Sequence, residues 1–149
     1  MRIVSGKYGG RIFRPPKKLD ARPTTDFAKE NLFNILENRF DFEELTALDL
    51  FAGTGNISFE LISRGCKKVT AIEKNMRNVQ FINRIMDQLG IENLTVIRKD
   101  VFKFVTSTNE PALKNRFQSW LAGVVTNHPA VKALKSNESF SLSKTEKAD

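Results

Sequence analysis

A short apolar run, Ala47 to Phe51, ends abruptly in Gly53-Thr54-Gly55 and limits the possible folds of this chain more than any other stretch. A helical pattern of apolar residues follows from Ile57 to Ser63. This order predicts a strand, a glycine turn and a helix, and glycines without a Cβ let a ligand reach the backbone N–H groups where the helix begins. Asp49 lies inside the apolar run, where a carboxylate is unfavourable unless something pairs with it. The stretch therefore predicts a site for a ligand with a cationic or hydrogen-bond-donating group.

The turn by itself has more than one interpretation. A dinucleotide-binding turn reads G-x-G-x-x-G, and here Ser58 occupies the third glycine position, which disfavours an oxidoreductase that uses NAD. Many strand-to-helix turns in α/β proteins also contain glycine for closure alone. The sequence downstream of the turn has to distinguish a glycine turn that only joins strand and helix from one that binds a ligand.

Two more acidic residues come at the ends of predicted strands. Lys67 to Ile72 is followed by Glu73, and Leu94 to Ile97 is followed at a short distance by Asp100. In Rossmann-like units a carboxylate at the position of Glu73 accepts hydrogen bonds from ribose hydroxyls, whereas an ion pair with Lys74 is the alternative. The order of strands and helices predicts the first half of a parallel α/β sheet.

The first 30 residues carry most of the excess positive charge. They hold eight of the 24 Lys and Arg residues but three of the 17 Asp and Glu residues, in a chain of net charge +7. Arg2 to Val4 and Arg11 to Phe13 are β-prone and flank a glycine-rich loop, which predicts a basic hairpin; a tail that orders only on RNA is the alternative. A basic cluster at one end favours a polyanionic partner, with nucleic acid as the leading class. The basic residues expected to hold RNA phosphates are Arg2, Lys7, Arg11, Arg14, Lys17, Lys18 and Arg22.

An amphipathic helix is predicted between the basic region and the glycine turn. Thr25 or Asp26 is a natural N-cap for it. Apolar residues then recur at helical spacing and are expected to pack on the sheet: Phe27, Leu32, Phe33, Ile35 and Leu36.

Residues 1 to about 104 resemble the bacterial 16S ribosomal RNA guanine-N2 methyltransferase family (RsmD-type) in three separate segments. The first is the opening Met-Arg-Ile-Val-Ser-Gly-Lys-Tyr-Gly-Gly-Arg, and the second is Arg-Pro-Thr-Thr-Asp with Lys-Glu-Asn-Leu-Phe-Asn-Ile-Leu. The third is Asp-Leu-Phe-Ala-Gly-Thr-Gly, which looks like the first motif of the Rossmann-like methyltransferases. Phe27 departs from the family, which has a basic residue there. Three segments in the family's order make the resemblance far more specific than any single motif.

The resemblance implies a Rossmann-like fold that uses S-adenosylmethionine to methylate the exocyclic N2 amine of a guanine in 16S ribosomal RNA, either free or in an assembling small ribosomal subunit. In such a fold the glycine turn passes under the methionine and ribose of the cofactor. Asp100 would face the adenine amino group, and it can also cap the short helix that follows it. The cofactor site carried over to this chain consists of Asp49, Phe51, Gly53, Thr54, Gly55, Glu73, Lys74, Asp100 and Val101.

The last third of the chain departs from the family. Family members continue with a strand that ends in Asp/Asn-Pro-Pro-Tyr/Phe, whose oxygens accept the hydrogens of the target amine while the aromatic residue stacks on the base, and this sequence lacks the motif. The nearest stretch is Asn127-His128-Pro129-Ala130, in which Asn127 is the candidate catalytic residue; a turn that contains Asn and Pro by chance is the favoured alternative. From about Val105 onward we expect a truncated or out-of-frame replacement of the family's C-terminal half. An exposed sheet edge and low stability as a monomer would follow.

We therefore predict an α/β, Rossmann-like methyltransferase fold that is incomplete at the C-terminus and carries an N-terminal β-hairpin. The expected domains are a basic extension over residues 1–20, a methyltransferase domain over 21–131 and a disordered polar tail over 132–149. A catalytically inactive relative that binds RNA, with or without S-adenosylmethionine, is the alternative function. No metal or membrane partner is expected. The single cysteine, Cys66, cannot form an internal disulfide and indicates a reducing cytoplasm. The sequence has no run of 18 apolar residues, so no membrane-spanning helix is expected.

Overall fold

The computed structural model describes residues 1–16, 24–111 and 113–115 of the chain. Two compact units are present, Met1–Phe104 and Val105–Asp149, and the sheet lies in the first. Several predicted features lie outside the described residues: Lys17, Lys18, Arg22, Asn127 and the tail over 132–149.

Three parallel strands form the sheet, in the order β1-β2-β3. They are β1 (Thr46–Asp49), β2 (Lys68–Glu73) and β3 (Leu94–Arg98). Ala47 pairs with Val69, and Val69 pairs with Leu94, so these three side chains share one face of the sheet. The same three belong to a single apolar core. The predicted parallel order of the strands is confirmed.

The helices that connect the strands are α2 (Asn56–Ser63) and α3 (Met76–Leu89), and α4 (Val101–Ser107) follows β3. Phe59 of α2 and Ile82 of α3 are buried in the same core as the inner sheet face. Gly55, the N-cap of α2, has a φ of +78°, and a Cβ there would lie 2.9 Å from the Phe59 ring. Both observations require glycine at this position, whatever the function of the turn.

Residues 1–13 fold back on themselves and are called the N-terminal ribbon below. Ile3 N donates to Arg11 O at 3.0 Å, and Phe13 N donates to Met1 O at 2.8 Å. Arg2 and Ile12 form an antiparallel bridge. The predicted hairpin is thus confirmed, and a tail without structure is wrong for these residues. The ribbon lies on the end of α2, because Lys7 N donates to Ser63 O at 2.7 Å.

The helix before the sheet, α1 (Asp26–Glu37), begins at the predicted N-cap but buries only part of the predicted apolar face. Thr25 Oγ1 accepts a hydrogen bond from Ala28 N at 3.2 Å. The buried positions are Lys29 and Phe33. Apolar residues that were expected to pack on the sheet are instead exposed: Phe27 by 75%, Ile35 by 54% and Leu32 by 42%. Phe33 and Leu36 pack in the core as predicted. The prediction failed for the other three residues, and it also treated Lys29, which is buried, as a solvent-facing residue.

One turn of 3-10 helix (Phe42–Glu44) leads from α1 into β1. In the described part of the chain β1 has a neighbouring strand on one side only, and Leu48 on this strand is 37% exposed. No helix among the described residues is long and apolar enough to span a membrane.

Candidate functional site

A cleft of about 420 Å³ opens at the carboxyl ends of the three strands. The glycine turn, the end of β2 and the start of α4 supply its walls. Seven of the nine residues predicted to bind the cofactor line it: Phe51, Gly53, Thr54, Glu73, Lys74, Asp100 and Val101. The other two, Asp49 and Gly55, are not among its lining residues. Carboxyl ends of parallel strands are the usual position of ligand sites in open α/β sheets.

The two glycines of the turn have different roles. Gly53 has a φ of +56°, and a Cβ built on it would meet no atom within 4 Å, so its backbone faces open space at the cleft. Gly55 instead packs against Phe59 and Ile82 and closes the turn onto the core. The sequence left ligand binding and closure as alternatives, and the turn has one glycine suited to each.

Asp49 has partners within the protein. Ser58 Oγ donates to Asp49 Oδ2 at 2.7 Å, and Phe51 N donates to Asp49 Oδ1 at 3.4 Å. Burial raises the pKa of Asp49 above its ordinary value, and the Ser58 hydrogen bond offsets part of that increase. Ser58, which occupies the third glycine position of a dinucleotide turn, therefore serves here as the partner of this carboxylate.

Glu73 lies at the end of β2 with one oxygen in use. Its Oε1 accepts a hydrogen bond from Asn75 N at 2.6 Å, and the residue lines the cleft. The alternative prediction, an ion pair between Glu73 and Lys74, is wrong. Lys74 Nζ lies 3.3 Å from Asp100 Oδ2 instead, so the ion pair joins the two neighbouring strand ends. Glu73 is left to face the cleft.

Asp100 caps α4, as one of its two predicted roles requires. Its Oδ1 accepts hydrogen bonds from Phe102 N at 3.0 Å and from Lys103 N at 3.3 Å. Burial pushes the pKa of Asp100 upward, but these N–H donors and Lys74 outweigh it, and the pKa lies below its ordinary value. The carboxylate is therefore ionised at neutral pH and remains an acceptor at the cleft wall.

Two aromatic rings stand together at the cleft. The centroids of Phe51 and Phe102 are 6.4 Å apart, in an edge-on arrangement with an interplanar angle of 64°. Val101 beside them is buried. Together they give the cleft an apolar wall, next to the carboxylate of Asp100, against which a planar ring can pack.

Sequence reasoning missed five polar residues of the cleft: Thr24, Asn56, Asn75, Asn78 and Lys99. Asn56 directly follows the glycine turn, and this position could have identified it. Asn78 is 9% exposed on the first turn of α3, at the same helical spacing as the core residue Ile82. An amide at a core-facing helix position is unusual, and that was the available signal.

The N-terminal ribbon carries an exposed basic surface. Arg2, Lys7 and Arg11 of the ribbon are exposed, and so is Arg14, which directly follows it. The Lys7 ammonium and the Arg11 guanidinium lie 5.3 and 5.5 Å from the centre of the Tyr8 ring. No group of three His, Cys, Asp or Glu residues that could hold a metal ion occurs in the described parts of the chain.

A parallel α/β sheet with acidic residues and a glycine turn around one cleft at its strand ends has the architecture of the Rossmann-like methyltransferases. Comparison with known proteins agrees. The solved structure of an Escherichia coli protein proposed to be a methyltransferase superposes with a TM-score of 0.63 at 28% identity, over 70% of this chain and 55% of that one.

A family model described as conserved hypothetical protein 95 matches residues 1–116, so the chain belongs to this family, the RsmD-type family that its sequence resembles. The ribosomal RNA small subunit methyltransferase D of Buchnera aphidicola is 31% identical over 110 residues, which is 74% of this chain and 56% of the relative. The Escherichia coli protein of the same name is 31% identical over 111 residues, 74% of this chain and 55% of the relative. The chain thus spans little more than half the length of these relatives.

Proposed function

We propose that the chain binds S-adenosylmethionine in the cleft and methylates the exocyclic N2 amine of a guanine in 16S ribosomal RNA. The observation that carries the proposal is the meeting of Gly53, Glu73 and Asp100 around one cleft of about 420 Å³. The names of the Buchnera and Escherichia coli relatives support ribosomal RNA of the small subunit as the substrate. An RNA substrate of this kind also supports the cytoplasm as the place of action.

The side chains of the cleft fit the chemical groups of S-adenosylmethionine. Glu73 has an oxygen available to accept from the ribose hydroxyls, and Asp100 can accept from the adenine amino group. The apolar wall next to Asp100 suits the adenine ring. The bare backbone at Gly53 leaves room for the methionine part. When bound, the cofactor supplies a methyl group activated by a sulfonium.

The protein's part in methyl transfer is to hold the target amine in line with the methyl donor. The lone pair of this amine is delocalised into the guanine ring, so an acceptor oxygen must hydrogen-bond its N–H groups and direct the lone pair toward the methyl group. Asn127 is the residue that we propose for this role, and it lies outside the described residues. The one proton that the nitrogen loses on methylation passes to solvent.

The basic surface of the N-terminal ribbon would hold the RNA. Its exposed Arg and Lys side chains can neutralise phosphates, and binding of this type weakens as the salt concentration rises. Tyr8 is buried between its two cationic neighbours, so it supports these side chains and does not stack on a base.

A second candidate function is cofactor and RNA binding without catalysis. It is favoured by one observation, the absence of Asp/Asn-Pro-Pro-Tyr/Phe from the sequence. The two functions share the cleft and the ribbon, and they differ only in whether a methyl group is transferred.

Calorimetric titration of the full chain with S-adenosylhomocysteine, and with NAD for comparison, tests the cofactor. We expect binding of the first compound only, and Glu73→Gln should weaken it by roughly tenfold or more because a charged acceptor is lost. Glu92→Gln, at an exposed position outside the cleft, is the control.

Transfer of a labelled methyl group to an unmodified 16S transcript, or to small-subunit particles, then distinguishes the enzyme from the binding protein. Binding of NAD alone would contradict both.

A further inference from the structure

A buried polar cluster lies between the ribbon and the cleft, and it is called the Lys29 cluster below. It consists of Lys29 on α1, Asn56 and Glu60 on α2, and Arg64, the C-cap residue of α2. The side chains of Lys29 and Glu60 are fully buried, with Nζ 3.2 Å from Oε2. Lys29 Nζ also donates to Asn56 Oδ1 at 2.8 Å, and Arg64 Nε donates to Glu60 Oε1 at 2.9 Å.

One side of the Lys29 cluster holds the N-terminal ribbon. Lys29 Nζ donates to the carbonyl oxygen of Arg2. Val4 N and Ser5 N donate to the two oxygens of Glu60, at 2.8 and 3.0 Å. The ion pair of Lys29 and Glu60 therefore holds the ribbon, with its exposed basic side chains, against α1 and α2, in addition to the contacts that the ribbon makes with Ser63.

The other side of the Lys29 cluster reaches the cleft. Asn56 lines the cleft directly after the glycine turn, and its Nδ2 donates to Thr24 O at 3.2 Å. Thr24 lines the cleft as well. A continuous path of hydrogen bonds thus runs from the Arg2 carbonyl through Lys29 and Asn56 to the cleft wall.

Stability alone does not explain a buried ion pair at this position. Removing two charges from water is expensive, and well-packed apolar residues of similar volume often stabilise a protein as well or better. A buried ion pair instead fixes geometry, because each charged group determines where the hydrogen-bond donors or acceptors around it must lie. Burial pushes the pKa of Glu60 upward, yet the donors from Val4, Arg64 and Lys29 outweigh it and hold the pKa below its ordinary value.

We propose that Lys29 is a positioning residue that couples the N-terminal ribbon to the glycine turn through Asn56. RNA on the ribbon and cofactor in the cleft then each raise the affinity of the protein for the other, since coupling between two sites is reciprocal. The coupling rests on the proposed function, but the positioning of the turn by Lys29 does not depend on any ligand.

Hydrogen exchange of the ligand-free, full-length chain tests the positioning. Lys29→Met keeps the length of the apolar stem and leaves the Glu60–Arg64 ion pair in place. We expect amide exchange in residues 53–56 to accelerate by roughly tenfold, as one or two hydrogen bonds are lost. Ser63→Ala is the control, because Ser63 Oγ accepts from Tyr8 N at 2.9 Å and holds the ribbon without reaching the cleft. It should accelerate exchange in the ribbon only.

Asn56→Ala gives a second test in case Lys29→Met folds poorly. This variant removes the link to the cleft and retains the ion pair of Lys29 with Glu60. It should accelerate exchange at the turn as much as Lys29→Met does, and the double variant should add nothing further. Exchange at the turn that is unchanged in both single variants would overturn the proposal and leave the Lys29 cluster a purely structural clamp.

Ligand binding tests the coupling. In the unaltered chain, S-adenosylhomocysteine should tighten the binding of an unmodified 16S transcript by about five- to tenfold, within the usual range for linked sites. In Lys29→Met, S-adenosylhomocysteine should leave the RNA affinity almost unchanged, a factor of about one. Ser63→Ala should weaken RNA binding overall but keep the tightening by S-adenosylhomocysteine. A factor of one in the unaltered chain would contradict the coupling. Failure of the unaltered chain to bind S-adenosylhomocysteine would contradict the proposed function, and the exchange rates would still decide the role of Lys29.

Discussion

The fold places the carboxylate of Asp49 where its charged form is unfavourable. Burial raises its pKa, so at neutral pH the folded protein keeps a charge in a place that favours the protonated form. Because the pKa is higher in the folded than in the unfolded chain, the contribution of Asp49 to stability grows as the pH falls through the folded pKa. Above that pH the charged group reduces stability. A cationic group of a bound ligand would relieve this effect.

Asp49→Asn should therefore separate stability from ligand binding. The variant can keep a hydrogen bond to Ser58 but carries no charge, so its melting temperature at pH 7 should exceed that of the unaltered chain without ligand. Binding of S-adenosylhomocysteine should weaken by roughly tenfold or more, as expected for loss of a charged acceptor.

Scanning calorimetry at pH values decreasing from 8 and titration calorimetry measure the two effects. The stability difference should shrink as the pH falls through the folded pKa of Asp49, where Asp49 itself takes up a proton. Ser58→Ala is the matched control, because it keeps the charge and removes its partner, and it should lower stability at pH 7. An Asp49→Asn protein that melts below the unaltered chain at every pH would show that this carboxylate stabilises the fold.

Single residues also show what the sequence could and could not reveal. Gly53, Glu73 and Asp100 were found because acids and glycines at successive strand ends must meet at one sheet edge. Lys29 was missed because a lysine is almost always solvent-facing, and only the partner Glu60, itself 31 residues away in α2, makes its burial possible. The pairing of two distant charges has no local pattern from which it could be inferred.

At the scale of elements, local rules located the helices and strands well. Thr25, one of the two predicted N-cap residues, is the N-cap of α1. The burial of Lys29 in α1 was not predicted, since it depends on Glu60 in α2 and on the ribbon. The ribbon depends in turn on a close contact with α2 that no short-range pattern encodes.

Gly6 and Gly10 allow that contact to be tested. Both have positive φ, +79° and +80°, but a Cβ on Gly6 would lie 1.9 Å from Ser63 O, whereas a Cβ on Gly10 would meet nothing within 4 Å. Gly10→Ala should lower the free energy of unfolding by about 1 kcal/mol from backbone strain alone. Gly6→Ala should lower it by roughly 1–3 kcal/mol more, because the ribbon must move off α2. Urea unfolding measures the difference, and equal losses in the two variants would mean that the contact with Ser63 is dispensable.

At the scale of the whole molecule, local patterns predicted the sheet but not what covers its faces and edges. Strand order and direction followed from three strand–helix repeats, because connections between parallel strands are short and of one hand. Parallel sheets are normally covered on both faces and flanked by further strands. The first unit supplies three strands, and the relatives are nearly twice as long as the matched region.

The unpaired side of β1 in the described part of the chain predicts self-association through this strand. Leu48 is 37% exposed on a strand that, in the described part of the chain, has one neighbour, and an exposed apolar edge strand pairs readily with another chain. Leu48→Lys should lower the apparent association constant in sedimentation velocity severalfold, since a charge on an edge strand opposes pairing. Thr95→Lys is the control: register pairs place Leu48, Thr70 and Thr95 on the same sheet face, and Thr95 lies on β3, the other outer strand. If both variants reduce association equally, net charge is the cause, and if neither does, the contact between copies lies elsewhere.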